Sequence, residues 1–324
     1  MLQEQIFRIS NEDEFEGLCM EVFRYQYNNN KVYNQFCALL QRTPDLVNSL
    51  AEIPFLPIEF FKNKTIISGN QPSQITFTSS GTTSANTSKH HVTDLRLYEK
   101  SFLTAFHNFY GDPREYIFLA LLPSYLEREG SSLIYMVDSL IKNSDSPESG
   151  FYLHNLHELA EKLRELDKKD KKVFLIGVSF ALLDLLEENT FHLKNTIVME
   201  TGGMKGRRKE MIRAELHHHL KKGFGIDAIH SEYGMTELLS QAYSKGNGVF
   251  ECPPWMRILI RDPEDALSFQ DEGRTGGINV IDLANINSCS FIATQDLGRK
   301  KNKEIEILGR FDNSDIRGCN LLLL

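Results

Sequence analysis

The sequence lacks the features of a disulfide scaffold, a membrane protein or a nucleic-acid binder. Its five cysteines, at positions 19, 37, 252, 289 and 319, form no CxxC pair, and an odd number suits a disulfide framework poorly. No apolar run approaches the roughly 18–20 residues of a membrane helix, and the polar, acidic N-terminus is unlike a signal peptide. A net charge of −8 argues against binding through nucleic-acid phosphates. We therefore expect a protein of the reducing cytoplasm, with no membrane span and no nucleic-acid partner.

What the sequence does contain is a regular alternation of strand-like and helix-like segments. Of its 324 residues, 41% are hydrophobic and 25% are charged, as is typical of a folded protein. The predicted strands are Gln74–Thr78, Tyr116–Leu122, Val173–Gly177, Thr196–Glu200 and Ile226–His230. The predicted helices are Leu95–Phe109, Ser131–Ile141, Leu156–Leu166, Phe180–Glu188 and Arg207–Lys221. Strands separated by helices favour βαβ units in a mostly parallel sheet, so the predicted fold class is α/β.

The two ends of the chain have residue patterns that differ from this alternation. Residues 11–50 show the spacing of apolar positions that is typical of helices. Beyond Gly246, short β-like segments are separated by turn residues and hold no convincing helix. We therefore predict an α/β body over residues 1–245, with a helical N-terminal segment, and a smaller β-rich subdomain over residues 246–324.

A loop rich in hydroxyl groups, Ser79–Ser88, follows the first predicted strand and is called the hydroxyl loop below. Hydroxyls and backbone N–H groups around the flexible Gly81 can hold phosphate oxygens, and Lys89 can add a positive charge. The loop lacks the GxxxxGK spacing of a Walker loop. Its composition fits a surface linker as well as a phosphate cradle.

Two further segments carry chemical groups that suit a nucleotide. Ser231–Glu237 follows a predicted strand, at the place where α/β sheets bind ligands, and Glu237 could hold Mg²⁺; an ordinary first turn of a helix is the alternative. Asp296, in Thr294–Arg299, could accept hydrogen bonds from ribose hydroxyls, and Arg310 could reach phosphate or ribose. A lone Asp is more often a turn residue.

These segments occur in the order found in the adenylate-forming superfamily, which the chain resembles over about residues 55–324. The superfamily comprises acyl-CoA synthetases, adenylation domains and luciferases. Within it the chain looks most like the acyl-protein synthetase of the bacterial bioluminescence fatty-acid reductase. Further support comes from Leu122–Arg128, Thr201–Gly206 and Arg317–Leu321. The resemblance implies the large domain of an adenylate-forming enzyme, with mostly parallel sheets, helices and a small β-rich subdomain.

The resemblance also implies which residues contact ATP at its phosphates and its base. The β- and γ-phosphates would be held by Ser79, Ser80, Gly81, Thr82 and Thr83. Gly202 and Gly203 would border the adenine, and Tyr233 would stack on it. The hydroxyl loop departs from the pattern at Ser84, where Gly is usual, and at Thr87, where Lys is usual, which puts a phosphate contact from Lys89 in doubt.

The remaining implied contacts surround the α-phosphate and the ribose. Thr236 would contact the α-phosphate and Glu237 would bind Mg²⁺. Asp296 would hold the ribose hydroxyls and Arg310 would lie near ribose and phosphate, with Asp312 at the hinge position. The chain ends twelve residues after Asp312, so we expect the usual C-terminal domain, with its catalytic lysine, to be absent.

The implied function is ATP-dependent activation of a carboxylic acid as acyl-adenylate, followed by transfer of the acyl group to a protein or carrier thiol. Phe, Leu and Tyr in residues 95–155 favour a fatty acid, although they would serve equally as core. The resemblance places the acyl group on Cys319, beside Arg317, whereas burial in a terminal strand is the alternative. Free CoA is another possible acceptor.

A second hypothesis is a non-catalytic or partner-dependent subunit that binds a nucleotide or acyl group. Such a subunit would dock an acyl-CoA reductase or an acyl carrier protein. Retention of Thr236, Glu237, Asp296 and Arg310 favours catalysis, since a scaffold has no need for a complete nucleotide shell.

Histidines suggest metal at first sight. Consecutive helix residues diverge by about 100°, so His217, His218 and His219 cannot share an ion, and we predict a solvated helix face. His230 precedes the Tyr233 segment and suits either a pocket or the core.

Overall fold

The structure is a computed structural model that describes residues 2–79, 87–122, 130–153, 155–202, 211–302 and 304–311. The helices are α1 (Leu2–Ile6), α2 (Glu12–Asn29), α3 (Lys31–Leu39), α4 (Phe60–Asn63), α5 (Leu95–Tyr110), α6 (Ser132–Asn143), α7 (Leu156–Lys168), α8 (Ser179–Glu187) and α9 (Arg213–Phe224). None of these helices is long and apolar enough to cross a membrane.

The strands complete the description of the regular structure. They are β1 (Leu56–Pro57), β2 (Ile75–Thr78), β3 (Lys89–Val92), β4 (Ile117–Leu121), β5 (Gly150–Phe151), β6 (Val173–Val178), β7 (Thr196–Thr201), β8 (His230–Tyr233), β9 (Ala242–Ser244), β10 (Val249–Phe250), β11 (Met256–Arg261), β12 (Thr275–Asp282), β13 (Phe291–Lys301) and β14 (Glu304–Arg310). The chain divides into a central unit, Gln71–Pro253, and a terminal unit formed by Met1–Asn70 and Pro254–Leu324.

The central unit is built on a six-stranded sheet in the order β5-β4-β6-β7-β8-β9. The first five strands are parallel, and β9 pairs antiparallel with β8. Helices α6 to α9 connect successive strands of this sheet from β4 to β8, and α5 leads into β4, as the alternation in the sequence predicted. The predicted α/β class with a mostly parallel sheet is therefore confirmed.

Alternate residues of the central strands point to two different helix layers. Leu119 and Leu175 are fully buried in an aliphatic cluster with residues of α7, α8 and α9. On the other side, Phe118 and Phe174 lie 5.4 Å apart between ring centroids and both contact Phe106 of α5. Strands that are buried on both faces show as continuous apolar runs, which explains why they were readable in the sequence.

Strands β2 and β3 form a separate antiparallel hairpin in the central unit. Phe77 is fully buried and its ring packs on Tyr98 and Tyr135, with centroids 5.4 and 5.8 Å away. The hairpin continues past β2, because the Ser79 N–H donates to the Ser88 carbonyl at 3.1 Å and the Ser88 N–H donates to the Ser79 hydroxyl at 3.0 Å. These bonds hold together the two ends of the hydroxyl loop.

The terminal unit is β-rich, and its strands β11 to β14 pair antiparallel in chain order, with β1 parallel to β13. The N-terminal helices belong to this unit. The Gln26 amide of α2 is fully buried and bonds the main chain at Asn285, Ile286 and Ser290. The structure thus divides the chain differently from the prediction: the N-terminal segment groups with the β-rich part, and the later division falls after Pro253 rather than after residue 245.

The position of strand β8 differs from the prediction. The prediction placed a strand at Ile226–His230, but the paired residues are His230–Tyr233, with Met199 opposite His230 and Thr201 opposite Glu232. The prediction was wrong because the true strand consists of polar residues, His230, Ser231 and Glu232, which give no apolar signal. Strand β9 was not predicted either.

The first prediction concerns the end of α9. Gly225 has φ 66° and ψ 40°, and a Cβ atom there would lie 2.5 Å from the carbonyl oxygen of Phe191. We expect Gly225→Ala to lower the free energy of unfolding by at least about 1–2 kcal/mol, the cost of the left-handed backbone alone. Urea denaturation followed by circular dichroism measures it. Gly150→Ala, where a Cβ atom would meet nothing closer than 3.7 Å, is the control; equal losses in both variants would contradict the argument.

Candidate functional site

The carboxyl ends of β7 and β8 lie side by side and create the edge at which the predicted nucleotide segments are found. In the parallel pairing, Glu200 is opposite Ser231 and Thr201 is opposite Glu232. Gly202 follows directly on β7, with φ 72°, in the left-handed region that favours glycine. Tyr233 is the last residue of β8. Ligands of α/β proteins bind outside such carboxyl ends.

The segment between β8 and β9 holds Thr236 and Glu237 in a turn. The N–H of Leu238 donates to the carbonyl of Met235 at 3.1 Å, and no helix begins here, so the alternative of a helix start is wrong. Thr236 is half-buried, whereas the Glu237 side chain is only 5% exposed. A glutamate is rarely buried so deeply. The turn therefore keeps a carboxylate out of bulk water at the edge of the sheet.

A hydrogen bond joins this turn to the hairpin that carries the hydroxyl loop. The Nδ1 atom of His90, on β3, lies 2.8 Å from the carbonyl oxygen of Thr236. Ser79, at the end of β2, belongs to the same hairpin. The structure thus joins the hairpin from which the hydroxyl loop extends to the turn that holds Thr236, within the central unit. Ser80, Gly81, Thr82, Thr83 and Gly203 lie outside the described residues.

One face of β7 and β8 carries a buried polar cluster. Glu200 is 3% exposed, accepts a hydrogen bond from the Ser179 hydroxyl at 3.2 Å, and lies 3.4 Å from Arg213 Nε and 3.5 Å from His217 Nε2. Burial raises the pKa of Glu200, but hydrogen bonding to His217 and Ser231 and the charge of Arg213 outweigh it, so the net pKa is lowered. Ser179 also donates to the carbonyl of Gly202 at 2.8 Å.

His217 corrects the prediction of a solvated histidine face. Its side chain is 5% exposed and its Nε2 lies 3.3 Å from the hydroxyl of Ser231, whereas His218 and His219 are exposed as predicted. The prediction was wrong for His217 because only one of three consecutive helix residues faces the sheet. The argument that the three cannot share an ion still holds.

On the other face of the same strands lies Glu232. Its carboxylate accepts a hydrogen bond from the Thr201 hydroxyl at 2.5 Å. Burial raises the pKa of Glu232 to about 7, with a further increase from the nearby charge of Glu200 and a partial decrease from Thr201. A Cβ atom at position 234 would lie 2.4 Å from Glu232 Oε1, so Gly234 leaves the space that this carboxyl group occupies.

Tyr233 and His230 have different surroundings. The Tyr233 side chain is 8% exposed, and its ring centroid lies 6.3 Å from that of Phe250. His230 is half-buried and its Nδ1 lies 3.2 Å from the Tyr110 hydroxyl. Burial, together with the charge of Lys245, lowers the pKa of His230 to about 4. Of the two roles that the sequence left open, the structure favours a histidine bonded within the core.

The terminal unit holds the other two predicted nucleotide residues. Asp296 on β13 is directly opposite Arg310 on β14, and Arg310 Nε lies 3.5 Å from Asp296 Oδ1. The Asp296 side chain is 11% exposed, whereas that of Arg310 is 60% exposed. An ion pair this exposed on one side is weak, so it leaves the guanidinium accessible to other groups. Asp312 and Cys319 lie outside the described residues.

The oxygen groups of Thr236 and Glu237 suit a Mg²⁺ ion that is also bound by a substrate. They do not suit a metal ion held by protein side chains alone. Across the ranges that the structure describes, no three His, Cys, Asp or Glu side chains are grouped so that they could hold an ion. Mg²⁺ usually binds through one or two carboxylates together with substrate phosphates and water. A single carboxylate at Glu237, beside the Thr236 hydroxyl, therefore fits an ion that arrives with a nucleotide.

Sequence reasoning missed His90, Glu200 and Glu232. A usable signal existed for Glu200, since a charged residue at the end of an apolar strand is unusual unless it is partnered. His90 and Glu232 gave no such signal, because each lies in a short strand made mostly of polar residues.

Comparisons with known proteins identify the fold. No protein-family model matches the sequence, and no curated protein sequence matches it. Among solved structures, apo MatB from Rhodopseudomonas palustris is 15% identical with a TM-score of 0.53, covering 74% of this chain and 48% of that one. An open conformation of 2-hydroxyisobutyryl-CoA ligase, in complex with 2-HIB-AMP and CoA, is 11% identical with a TM-score of 0.66, covering 94% and 77%. The same ligase in its thioesterification state is 14% identical, with a TM-score of 0.66.

These likenesses confirm the predicted fold class, because the chain shares the fold of MatB and of 2-hydroxyisobutyryl-CoA ligase. At such low identities they establish the fold alone. The chain spans about half the length of MatB, at 48%, because the solved chains are longer.

The second prediction follows from the raised pKa of Glu232. Unfolded chain loses this proton near pH 4.5 and folded protein near pH 7, so the folded state binds more protons between these values. The contribution of Glu232 to the free energy of unfolding is therefore fully present at low pH and is lost as pH rises from 4.5 to 7. We expect Glu232→Gln to gain about 3 kcal/mol of unfolding free energy relative to wild type across this window.

The measurement is urea denaturation of both proteins from pH 4.5 to 8. The lowered pKa of His230 produces an opposite trend, a loss of stability as pH falls from 6.5 to 4, but it is present in both proteins and cancels in the difference. A difference that stays constant with pH would refute the raised pKa of Glu232.

Proposed function

We propose that this protein uses ATP to activate a carboxylic acid as an acyl-adenylate and then transfers the acyl group to a thiol. The observation that carries the proposal is the hydrogen bond between His90 and Thr236, in a fold of adenylate-forming ligases. It joins the hairpin of the hydroxyl loop to the turn that holds Glu237. A phosphate-binding loop and a metal-binding carboxylate must be adjacent if both are to act on one triphosphate.

In the first half-reaction a carboxylate oxygen of the acid attacks the α-phosphorus, and the bond to pyrophosphate breaks. Residues Ser79–Thr83 of the hydroxyl loop would hold the β- and γ-phosphates that leave. Thr236 would contact the α-phosphate and Glu237 would bind Mg²⁺, which neutralises the charge that builds up. Positioning and electrostatic stabilisation supply most of the catalysis in such phosphoryl chemistry.

The resemblance also names the residues that would hold the nucleoside part of ATP. Tyr233 would stack on the adenine, which Gly202 and Gly203 would border. Asp296 would accept hydrogen bonds from the ribose hydroxyls, and Arg310 would lie near ribose and phosphate. Support comes from the cross-strand pairing of Asp296 and Arg310, because a carboxylate and an accessible guanidinium side by side suit a ribose with its phosphate.

In the second half-reaction a thiolate attacks the carbonyl carbon of the acyl-adenylate, and AMP leaves. The solved 2-hydroxyisobutyryl-CoA ligase structures hold an acyl-AMP together with CoA, which supports a thiol as acceptor. We propose a protein or carrier thiol, on the resemblance to acyl-protein synthetases. The acid is proposed to be a fatty acid, because residues 95–155 are rich in Phe, Leu and Tyr.

The described cysteines narrow the choice of an acceptor within the chain. Burial raises the pKa of Cys19, Cys37 and Cys289, so these thiols form little thiolate. Cys252 is half-buried. On the resemblance to acyl-protein synthetases we propose Cys319 as the acceptor, with an acyl carrier protein, CoA or an acyl-CoA reductase as the next partner in the transfer.

The third prediction tests adenylation. Wild-type protein should catalyse carboxylate-dependent exchange of labelled pyrophosphate into ATP with one class of acid in a series from acetate to palmitate and aryl acids. Glu237→Gln should lower the exchange rate about 100-fold or more, because the carboxylate that holds Mg²⁺ is lost. Glu215→Gln, on the exposed side of α9, is the matched control and should keep the wild-type rate.

Two results would contradict the third prediction. Exchange at the wild-type rate in Glu237→Gln would remove this residue from the metal site. Absence of exchange with every acid in well-folded wild type would favour the other hypothesis, a partner-dependent subunit that binds a nucleotide or acyl group.

The fourth prediction tests the acceptor. Incubation with ATP, Mg²⁺ and a labelled fatty acid should attach label to the protein through a bond that hydroxylamine cleaves, as expected for a thioester. Cys319→Ser should abolish the labelling and retain pyrophosphate exchange, whereas Cys252→Ser should retain both. Labelling that persists in Cys319→Ser would exclude this cysteine, and label found only on added CoA would make the protein an acyl-CoA ligase.

A further inference from the structure

His90 is a deeply buried histidine bonded to the main chain of the candidate site. Its side chain is 1% exposed, and its Nδ1 lies 2.8 Å from the carbonyl oxygen of Thr236. A carbonyl oxygen can only accept, so Nδ1 must carry the proton and donate it. The distance is that of a well-formed hydrogen bond.

The hairpin that carries His90 is fixed by its own packing. His90 is directly opposite Phe77 in the pairing of β2 with β3. Phe77 is fully buried against Tyr98 of α5 and Tyr135 of α6. The Tyr98 hydroxyl donates in turn to the carbonyl of Ser132 at 2.8 Å. The strand that carries His90 is therefore paired with a strand that is anchored on the helix layer.

At the other end of the bond, His90 orients the peptide that leads into Glu237. The carbonyl oxygen of Thr236 and the Cα atom of Glu237 belong to one planar peptide unit. A donor that fixes the oxygen therefore also fixes the direction in which the backbone enters Glu237. The Glu237 carboxylate is itself buried, at 5% exposure, so a rotation of this peptide would displace a group that has little room to compensate.

We infer that His90 is a positioning residue that sets the direction in which the Glu237 side chain leaves the turn of Thr236 and Glu237. The inference rests on the proposed function, since it concerns how Mg²⁺ and the triphosphate are held together. His90 touches neither substrate nor metal in this role. It connects β3 to the peptide that leads into the proposed metal-binding carboxylate, so this peptide keeps a fixed orientation.

The neighbouring histidine supplies a matched control. His91 points to the opposite face of the same strand, is half-buried, and has its Nδ1 2.9 Å from the Thr76 hydroxyl. Its hydrogen bond lies within the hairpin and does not reach the Thr236–Glu237 turn. Loss of the His91 side chain therefore removes a hydrogen bond between the same two strands without affecting the turn directly.

The fifth prediction uses three substitutions at His90. Asn places an N–H at the same number of bonds from Cα as Nδ1 of histidine, Gln places it one bond farther, and Ala removes it. We expect His90→Ala and His90→Gln to weaken Mg·ATP binding about tenfold, the equivalent of one net hydrogen bond. His90→Asn should bind within about threefold of wild type by the same scale. His91→Ala should bind as wild type does.

Isothermal titration calorimetry with ATP measures binding with Mg²⁺ and, separately, with EDTA. A positioning role predicts that the loss appears only in the presence of Mg²⁺, because His90 acts through the metal-binding carboxylate. In pyrophosphate exchange, the Mg²⁺ concentration for half-maximal rate should rise in His90→Ala and His90→Gln, with KM for the acid unchanged.

Several results would overturn the inference. Equal binding by His90→Asn and His90→Gln would show that the position of the donor is irrelevant. A loss that is the same with Mg²⁺ and with EDTA, or that His91→Ala shares, would make His90 merely structural. If His90→Ala does not fold, the comparison of His90→Asn with His90→Gln still tests the positioning role. Failure of the proposed function is a separate result, since it would appear as absence of exchange in wild type while the Mg²⁺-dependent binding difference is retained.

Discussion

Parallel pairing of β7 with β8 is the constraint on which the candidate site depends. Because β-strand residues alternate between faces, the register that sets Glu200 opposite Ser231 also sets Thr201 opposite Glu232. One face then receives the cluster with His217 and Arg213, and the other receives Glu232. Both strands end at the same edge, where the backbone leaves the sheet and can approach a ligand. A shift of one residue in this register would exchange the two faces and separate every one of these groups from its partner.

The two buried carboxyl groups show how the fold treats like charges on adjacent strands. Glu200 has Arg213 and His217 beside it, and its pKa is lowered. Glu232 has only the Thr201 hydroxyl as a polar partner among the contacts described above, and its pKa is raised to about 7. Burial is the main cause of the raised pKa of Glu232, and the charge of Glu200 adds to it. The site therefore keeps Glu200 charged, whereas Glu232 takes up its proton near neutral pH.

How much the sequence predicted depends on whether the information was local. The central strands and helices were predictable because buried strands such as β6 are continuous apolar runs, and α7 has a clear amphipathic period. The order of the nucleotide motifs predicted the fold class. Strand β8 was misplaced because most of its residues are polar, and the burial of His217 was missed because the two histidines that follow it are exposed. The association of α2 with the β-rich segment depends on contacts such as Gln26 with Ser290, which are far apart in sequence and leave no local pattern.

The turn that holds Thr236 and Glu237 is tied down at both of its ends. Residues 234–241 connect β8 to β9, and Tyr233 pairs directly with Ala242, so the connection begins and ends at neighbouring points of the sheet. His90 adds a third attachment near the middle. The conformational entropy of this short connection is therefore lost when the sheet forms and not when a nucleotide binds. Because the turn is already ordered, the binding free energy of a nucleotide is not reduced by the cost of ordering the protein.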